Sequence, residues 1–204
     1  MYTFPRWAWE RELLPGAQVV PAPTAMFTGR LYLDGDALDV DGSRGAVARI
    51  YGHGNAQRWG WLHADLRDGD VLEIVAATPR RRALSWLPPM PLVQLRVADR
   101  DWPRDALAAA PLFRARLGLP AWRVRGTVGR RRLRVDVTIP PAESVALDYT
   151  DPDGASATCT NSERADADIV LERWDGRWRT ERGWSLRGNA HAEIGTRPGG
   201  VEPK

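Results

Sequence analysis

The chain has 204 residues, 43% hydrophobic and 27% charged, with a formal net charge of +3; this is the make-up of a globular protein and excludes a disordered or fibrous one. No apolar run approaches the ~18 residues of a membrane span, and MYTFPRWAWERELLPG lacks the basic-then-apolar layout of a secretion signal, so the expected compartment is the cytoplasm. Lys204 is the only lysine, and acids alternate with the arginines, as in Arg67-Asp68 and Glu181-Arg182, so no basic stripe points to nucleic acid.

Short alternating segments broken by turn residues run through the chain, the pattern of a β-sandwich or barrel. Residues 26–33 and 45–51 read as strands set off by Asp-Gly pairs at 34–35 and 41–42. Residues 57–66 and 70–77 read as a hairpin across Arg67-Asp68-Gly69, where glycine reaches positive φ without steric cost, and 91–98 as a further strand. Residues 99–120 lack strand alternation and read as a connector, with a short helical stretch at 103–110 opened by Pro103. Beyond it, 121–128 and 131–139 alternate around Gly129, with Leu133, Val135, Val137 and Ile139 on one face. Strands at 144–150, 155–160, 167–174, 177–184 and 189–195 follow, with turns at Asp151-Pro152-Asp153-Gly154 and Asp175-Gly176. The fold expected is all-β, in two units covering residues 1–105 and 106–204.

The chemistry concentrates in residues 51–66. Residues two apart on a strand share a face, so Trp59, Trp61, His63 and Asp65 line up on one side. Two indoles, an imidazole and a carboxylate on one face look like a pocket wall, with Gly60 opposite allowing a close approach. The plainer alternative makes both tryptophans core and pairs His63 with Asp65 at the rim. Near the C-terminus, Asn189, His191 and Glu193 alternate with Ala190, Ala192 and Ile194; they are either the wet side of an amphipathic strand or acid–base groups pointing into a barrel. Asn161, Ser162 and Glu163 read as turn or cap residues, and Tyr149 follows Val145 and Leu147 inward. Cys159 reads as a small buried hydrophobe. Ten tryptophans outnumber phenylalanine (3) and tyrosine (4) together, and Trp86, Trp122 and Trp184 are candidate barrel linings. His63, Asp65 and a distant His191 could also form a two-histidine, one-carboxylate face for Fe(II).

Trp59-x-Trp61-x-His63-Ala64-Asp65 resembles the W-x-W-x-Q-x-N strand of tocopherol cyclases, and Ala192-Glu193-Ile194-Gly195 is similar to that family's A-x-E-x-G ending. Trp59-Gly60 also resembles the W-G of the carotenoid 1,2-hydratases (hydroxyneurosporene synthases), although Ala56 and Gln57 stand where those enzymes place Asp and His. The resemblance implies a lipocalin-like superfamily built from two antiparallel β-barrel units side by side. Its members act on isoprenoids or other greasy metabolites without a redox cofactor. Against full-length members the chain looks short, as a shortened or truncated relative would.

Taken together, these features predict a protein that binds a hydrophobic small molecule, isoprenoid-like or polyketide-like, in a Trp-lined barrel pocket. Its expected reaction is a redox-neutral cyclisation or a proton-assisted addition, with no cofactor and no resident metal. Asp65 is the expected acid, His63 its relay and Glu193 the reserve; Trp59, Trp61, His53, Asn55, Trp86, Tyr149 and His191 are the expected ligand contacts. The alternatives are a non-catalytic carrier of the same fold and a non-haem Fe(II) enzyme using His63, Asp65 and His191. Neither the ligand's identity nor the oligomeric state is legible in the residues.

Overall fold

Hairpins with turns at positive φ lay out most of the chain. The computed structural model describes residues 1, 10–11, 16–52, 56–80 and 87–198. β1 (Gly16–Phe27) pairs antiparallel with β4 (Ser43–Gly52), and between them β2 (Arg30–Leu33) and β3 (Asp36–Asp39) form a hairpin over Asp34-Gly35, with φ of 51° and 92°. β5 (Ala56–Arg67) and β6 (Asp70–Pro79) turn over Arg67-Asp68-Gly69, as the sequence predicts. The remaining elements are β7 (Met90–Val97), β8 (Arg100–Trp102), the single helical turn α1 (Ala106–Ala109), β9 (Phe113–Arg116), β10 (Ala121–Val128), β11 (Arg131–Thr138), β12 (Val145–Thr150), β13 (Ser156–Trp174) and β14 (Trp178–Thr196). No helix among the described residues is long and apolar enough to cross a membrane.

Ten of these strands form one antiparallel sheet in the order β8-β7-β6-β5-β14-β13-β11-β10-β9, with β12 added on β13. The β5–β14 ladder joins strands from the two halves of the chain. One face carries the core: Leu62, Ile74, Leu95, Val124, Leu133 and Ile169 are all fully buried in it. No ladder closes β8 onto β9 among the described residues; instead Trp102 of β8 meets Phe113 of β9 edge to face, with ring centroids 6.0 Å apart. Among the described residues this aromatic contact bridges the two edge strands, which no backbone ladder joins. The interior is filled by aliphatic side chains, Phe113 and Trp122, with Trp102 and Trp184 packed against them, so among the described residues the expected pocket inside a barrel is corrected to a packed core.

Two sequence expectations fail for identifiable reasons. The 99–120 connector contains β8, α1 and β9, and the predicted 103–110 helix shrinks to one turn capped by the Asp105 carboxylate. The β7–β8 hairpin escapes notice because its two-residue turn, Ala98-Asp99, has φ of 48° and 60° without glycine. The segments 155–160 and 167–174 are one 19-residue strand, β13, as are 177–184 and 189–195 in β14. Register shifts between Ser162 and Ala167 break the alternation, and Ser162 Oγ stitches the irregularity by accepting the Arg164 amide and donating to the Glu143 carbonyl.

The left-handed turn yields a stability prediction. An L-residue in that region is strained by about 1–2 kcal/mol, part of which glycine returns through its looser unfolded chain. Ala98→Gly should therefore stabilise the fold by about 0.5–1 kcal/mol, raising Tm by about 2–4 °C in a calorimetric scan. A lower Tm would show that the turn is not under strain.

Candidate functional site

Alternation along β5 sends Gly60, Leu62, Ala64 and Leu66 into the core and leaves Trp59, Trp61, His63 and Asp65 half-buried on the opposite face. A Cβ on Gly60 would meet Leu117 Cδ2 at 2.7 Å and Ile194 Cδ1 at 3.1 Å, so this glycine admits core side chains rather than another backbone. On the half-buried face, β14 places His191 opposite His63, Glu193 opposite Trp61 and Gly195 opposite Trp59. β6 adds Glu73 beside His63, and β13 adds Asn161 and Cys159 beyond Glu193 and Gly195.

Three carboxylates organise these groups. Glu73, 5% exposed, accepts the Trp61 indole N–H at 2.9 Å and meets His63 Nδ1 at 2.5 Å. Glu193 accepts the Trp59 indole N–H at 2.8 Å across 134 residues of sequence, with Asn161 Nδ2 at 3.5 Å. Glu163 holds His191 Nδ1 at 2.8 Å, and the His191 ring lies 4.4 Å from that of Trp61, edge on. The Nε2 of His191 is buried and has no hydrogen-bond partner. Burial opposes a charge on this imidazole, but the hydrogen bond to Glu163 and the negative charges of Glu163, Glu193 and Glu73 outweigh it and raise its pKa. The same contact holds the Glu163 carboxyl below its ordinary value, against the opposing pull of burial. Burial and Glu193 push the Cys159 thiol up to about 12, which keeps it protonated and unreactive at neutral pH.

Asp65, the acid expected from sequence, has a different employment. Arg44 of β4 holds both its oxygens, at 2.8 and 2.9 Å, and the Arg67 amide donates to it as well. Burial would raise its pKa, but these hydrogen bonds and the charges of Arg44 and His63 win, so the carboxyl stays below the usual aspartate range. A proton donor near neutral pH cannot be built that way. The same pairing removes the carboxylate from the His63–Asp65–His191 iron set. Among the described residues no group of three His, Cys, Asp or Glu is placed to hold a metal. Asp65→Asn should lower stability by about 0–1 kcal/mol, as for an exposed ion pair, and leave turnover within a few-fold. Paired urea titrations and product assays would check this, and a large loss of turnover would return the acid role to Asp65.

Tyr149 and Leu147 are 46% and 44% exposed on β12, which pairs only with β13. Leu147 stands opposite Cys159, in register with Gly195 and Trp59. Burial together with the charges of Cys159 and Glu193 raises the Tyr149 pKa, which puts Tyr149 at the margin of the same face. His53, Asn55 and Trp86 lie outside the described residues. Glu73, Glu163 and Arg44 were not singled out in the sequence as site groups. Glu73 left a signal, as the lone acid within the apolar run VLEIV, whereas Glu163 is hidden by the strand irregularity that breaks the local alternation.

The face thus offers two indoles, two carboxylate-held imidazoles and a third carboxylate beside an indole. Holding Nδ1 of a histidine on a carboxylate fixes the ring and presents Nε2 for proton transfer. Comparisons with known proteins bear on what such a face does. A family model described as tocopherol cyclase-like matches residues 6–196. Two uncharacterised proteins of Mycobacterium tuberculosis, from strains CDC 1551 and H37Rv, are each 50% identical over 197 residues. The match covers 97% of this chain and 57% of each relative, so the chain spans little more than half the length of these curated relatives. No solved structure matches at a significant level.

Proposed function

The chain belongs to the tocopherol cyclase-like family, and from that premise we propose that the Trp59–Trp61–His191 face binds a hydrophobic, isoprenoid-like or polyketide-like molecule and promotes its redox-neutral cyclisation or a proton-assisted addition. His191 carries the reading: Nδ1 is held by Glu163, the ring rests against Trp61, and the buried Nε2 has no partner in the protein. With its pKa raised above the ordinary 6.5, this imidazole is the acid that Asp65 cannot be.

In the proposed step the His191 Nε2 proton passes to one carbon of a substrate double bond, and the new C–H bond leaves positive charge on the neighbouring carbon. The indole faces of Trp61 and Trp59 stabilise that charge by roughly 0.5–2 kcal/mol each. A hydroxyl oxygen of the same molecule, or of water, bonds to the cationic carbon. Its proton goes to His63 Nε2 while Glu73 holds His63 Nδ1, and solvent returns the proton balance to the two histidines. Electrons are neither gained nor lost overall.

Titration with a prenylated hydroquinone, followed by tryptophan fluorescence, tests the binding half of this reading. Trp61→Ala should weaken the fitted affinity by about tenfold or more through lost aromatic area. Equal affinity in the wild type, Trp61→Ala and Trp59→Ala would move the ligand off this face.

A further inference from the structure

A second feature lies at the β13–β14 hairpin end, far along both strands from His191. Strand register there places Arg131 of β11, Arg173 of β13 and Arg179 of β14 side by side in one row. Like charges directly opposite one another destabilise a sheet unless something offsets them. Glu181 is ion-paired with Arg131, whereas Arg173 and Arg179 have no acidic partner among the described residues. Arg130, in the β10–β11 turn, gives its Nε to the Trp174 carbonyl at 3.2 Å and keeps both Nη groups uncommitted.

Arg130, Arg173 and Arg179 line a cleft of about 430 Å³, with Trp174 on its wall and two carboxylates beside them, Asp175 and the Glu181 that Arg131 holds. On the other face of the same hairpin Glu172 pairs with both Arg132 and Arg134, and Arg132 stacks over Trp178 at 4.5 Å. Arg173 and Arg179, the guanidiniums of the row without an acidic partner among the described residues, lie on the face that forms the cleft. Guanidinium forks match the geometry of phosphate oxygens, and the volume suits a phosphate carried on an organic group, the range being that of small-molecule sites.

We propose that this cleft binds a phosphate group, borne by a small organic molecule or by a lipid headgroup, with Arg130, Arg173 and Arg179 as its ligands. The proposal does not depend on the hydrophobic-ligand reading of the β5–β14 face. It is tested with inorganic pyrophosphate by calorimetry and with phosphatidylcholine vesicles, with and without phosphatidic acid, by co-sedimentation. The variants are Arg173→Gln/Arg179→Gln and, separately, Arg130→Gln in the turn. Arg116→Gln/Arg123→Gln serves as control, since these two residues also face each other across strands and carry the same charge outside the cleft. Pyrophosphate binding weakened about tenfold or more by the cleft variants, and about twofold or less by the control, supports a soluble phosphate ligand. The same pattern on phosphatidic acid vesicles alone supports a lipid headgroup. No binding to either probe, or equal losses in cleft and control variants, overturns the proposal. Circular dichroism and thermal melts confirm that each variant is folded; relief of the arginine row should leave Tm unchanged or raise it.

Discussion

Gly195→Ala should unfold the protein more readily and expel Trp59 from the β5–β14 face. A methyl group built on Gly195 overlaps the six-membered part of the Trp59 indole, which lies directly over that glycine. The two residues are opposite one another in the ladder, so neither can slide without breaking register. Overpacking of this kind costs about 1–3 kcal/mol, and displacing the ring also breaks the charge-assisted hydrogen bond from Trp59 to Glu193. The combined loss should reach about 2–4 kcal/mol in a urea titration, accompanied by a red shift of tryptophan emission. Wild-type stability with unshifted emission would show that the ring has room to move. Trp59, Glu193 and Gly195 are one packed, hydrogen-bonded unit contributed by two distant segments.

His191→Gln should reduce turnover by about 10²–10⁴-fold, the usual contribution of a positioned general acid, while hydroquinone affinity stays within a few-fold. The acid must be protonated to act, so wild-type kcat/KM should fall as pH rises through the raised His191 pKa. Glu163→Gln should shift that alkaline limb to lower pH, a readout that a merely structural role for Glu163 would leave in place. Stability follows the same linkage. A histidine whose folded pKa lies above its unfolded value contributes stability that is fully present below the unfolded pKa and is lost as pH rises through the folded one. Glu163, with a lowered pKa, contributes stability above its unfolded pKa that is lost as pH falls through the folded one. The wild type should therefore exceed His191→Gln in stability most at about pH 5–6, with the gap narrowing toward about pH 9. A gap independent of pH would show that the His191–Glu163 pair is not charged.

Much of this site is written in the residues of β5. A period of two suffices to put Trp59, Trp61, His63 and Asp65 on one face, because successive side chains of a strand alternate. Glycine-marked turns and the closing Ala192-Glu193-Ile194-Gly195 were readable for the same local reason, and the family follows from them. The partners of these polar groups were not readable. His63-x-Asp65 looked like a pair, yet Asp65 is claimed by Arg44 of β4 and His63 by Glu73 of β6. Nothing within β5 distinguishes these partners, since which charge faces a carboxylate depends on how separate strands come to lie.

Local spacing thus established the all-β class, most strand positions and the shared face of the two tryptophans. The packed interior, the contact of Trp102 with Phe113 between the edge strands, and the meeting of His63 with His191 came from folding. Register between strands far apart in the chain is set by core packing and by strand irregularities such as the one at Ser162, and neither has a local signature. A one-residue slip of β14 would turn His191 and Glu193 into the core and bring alanines to the half-buried face. The sequence supplied the chemical groups, while long-range register chose their partners and hence their protonation.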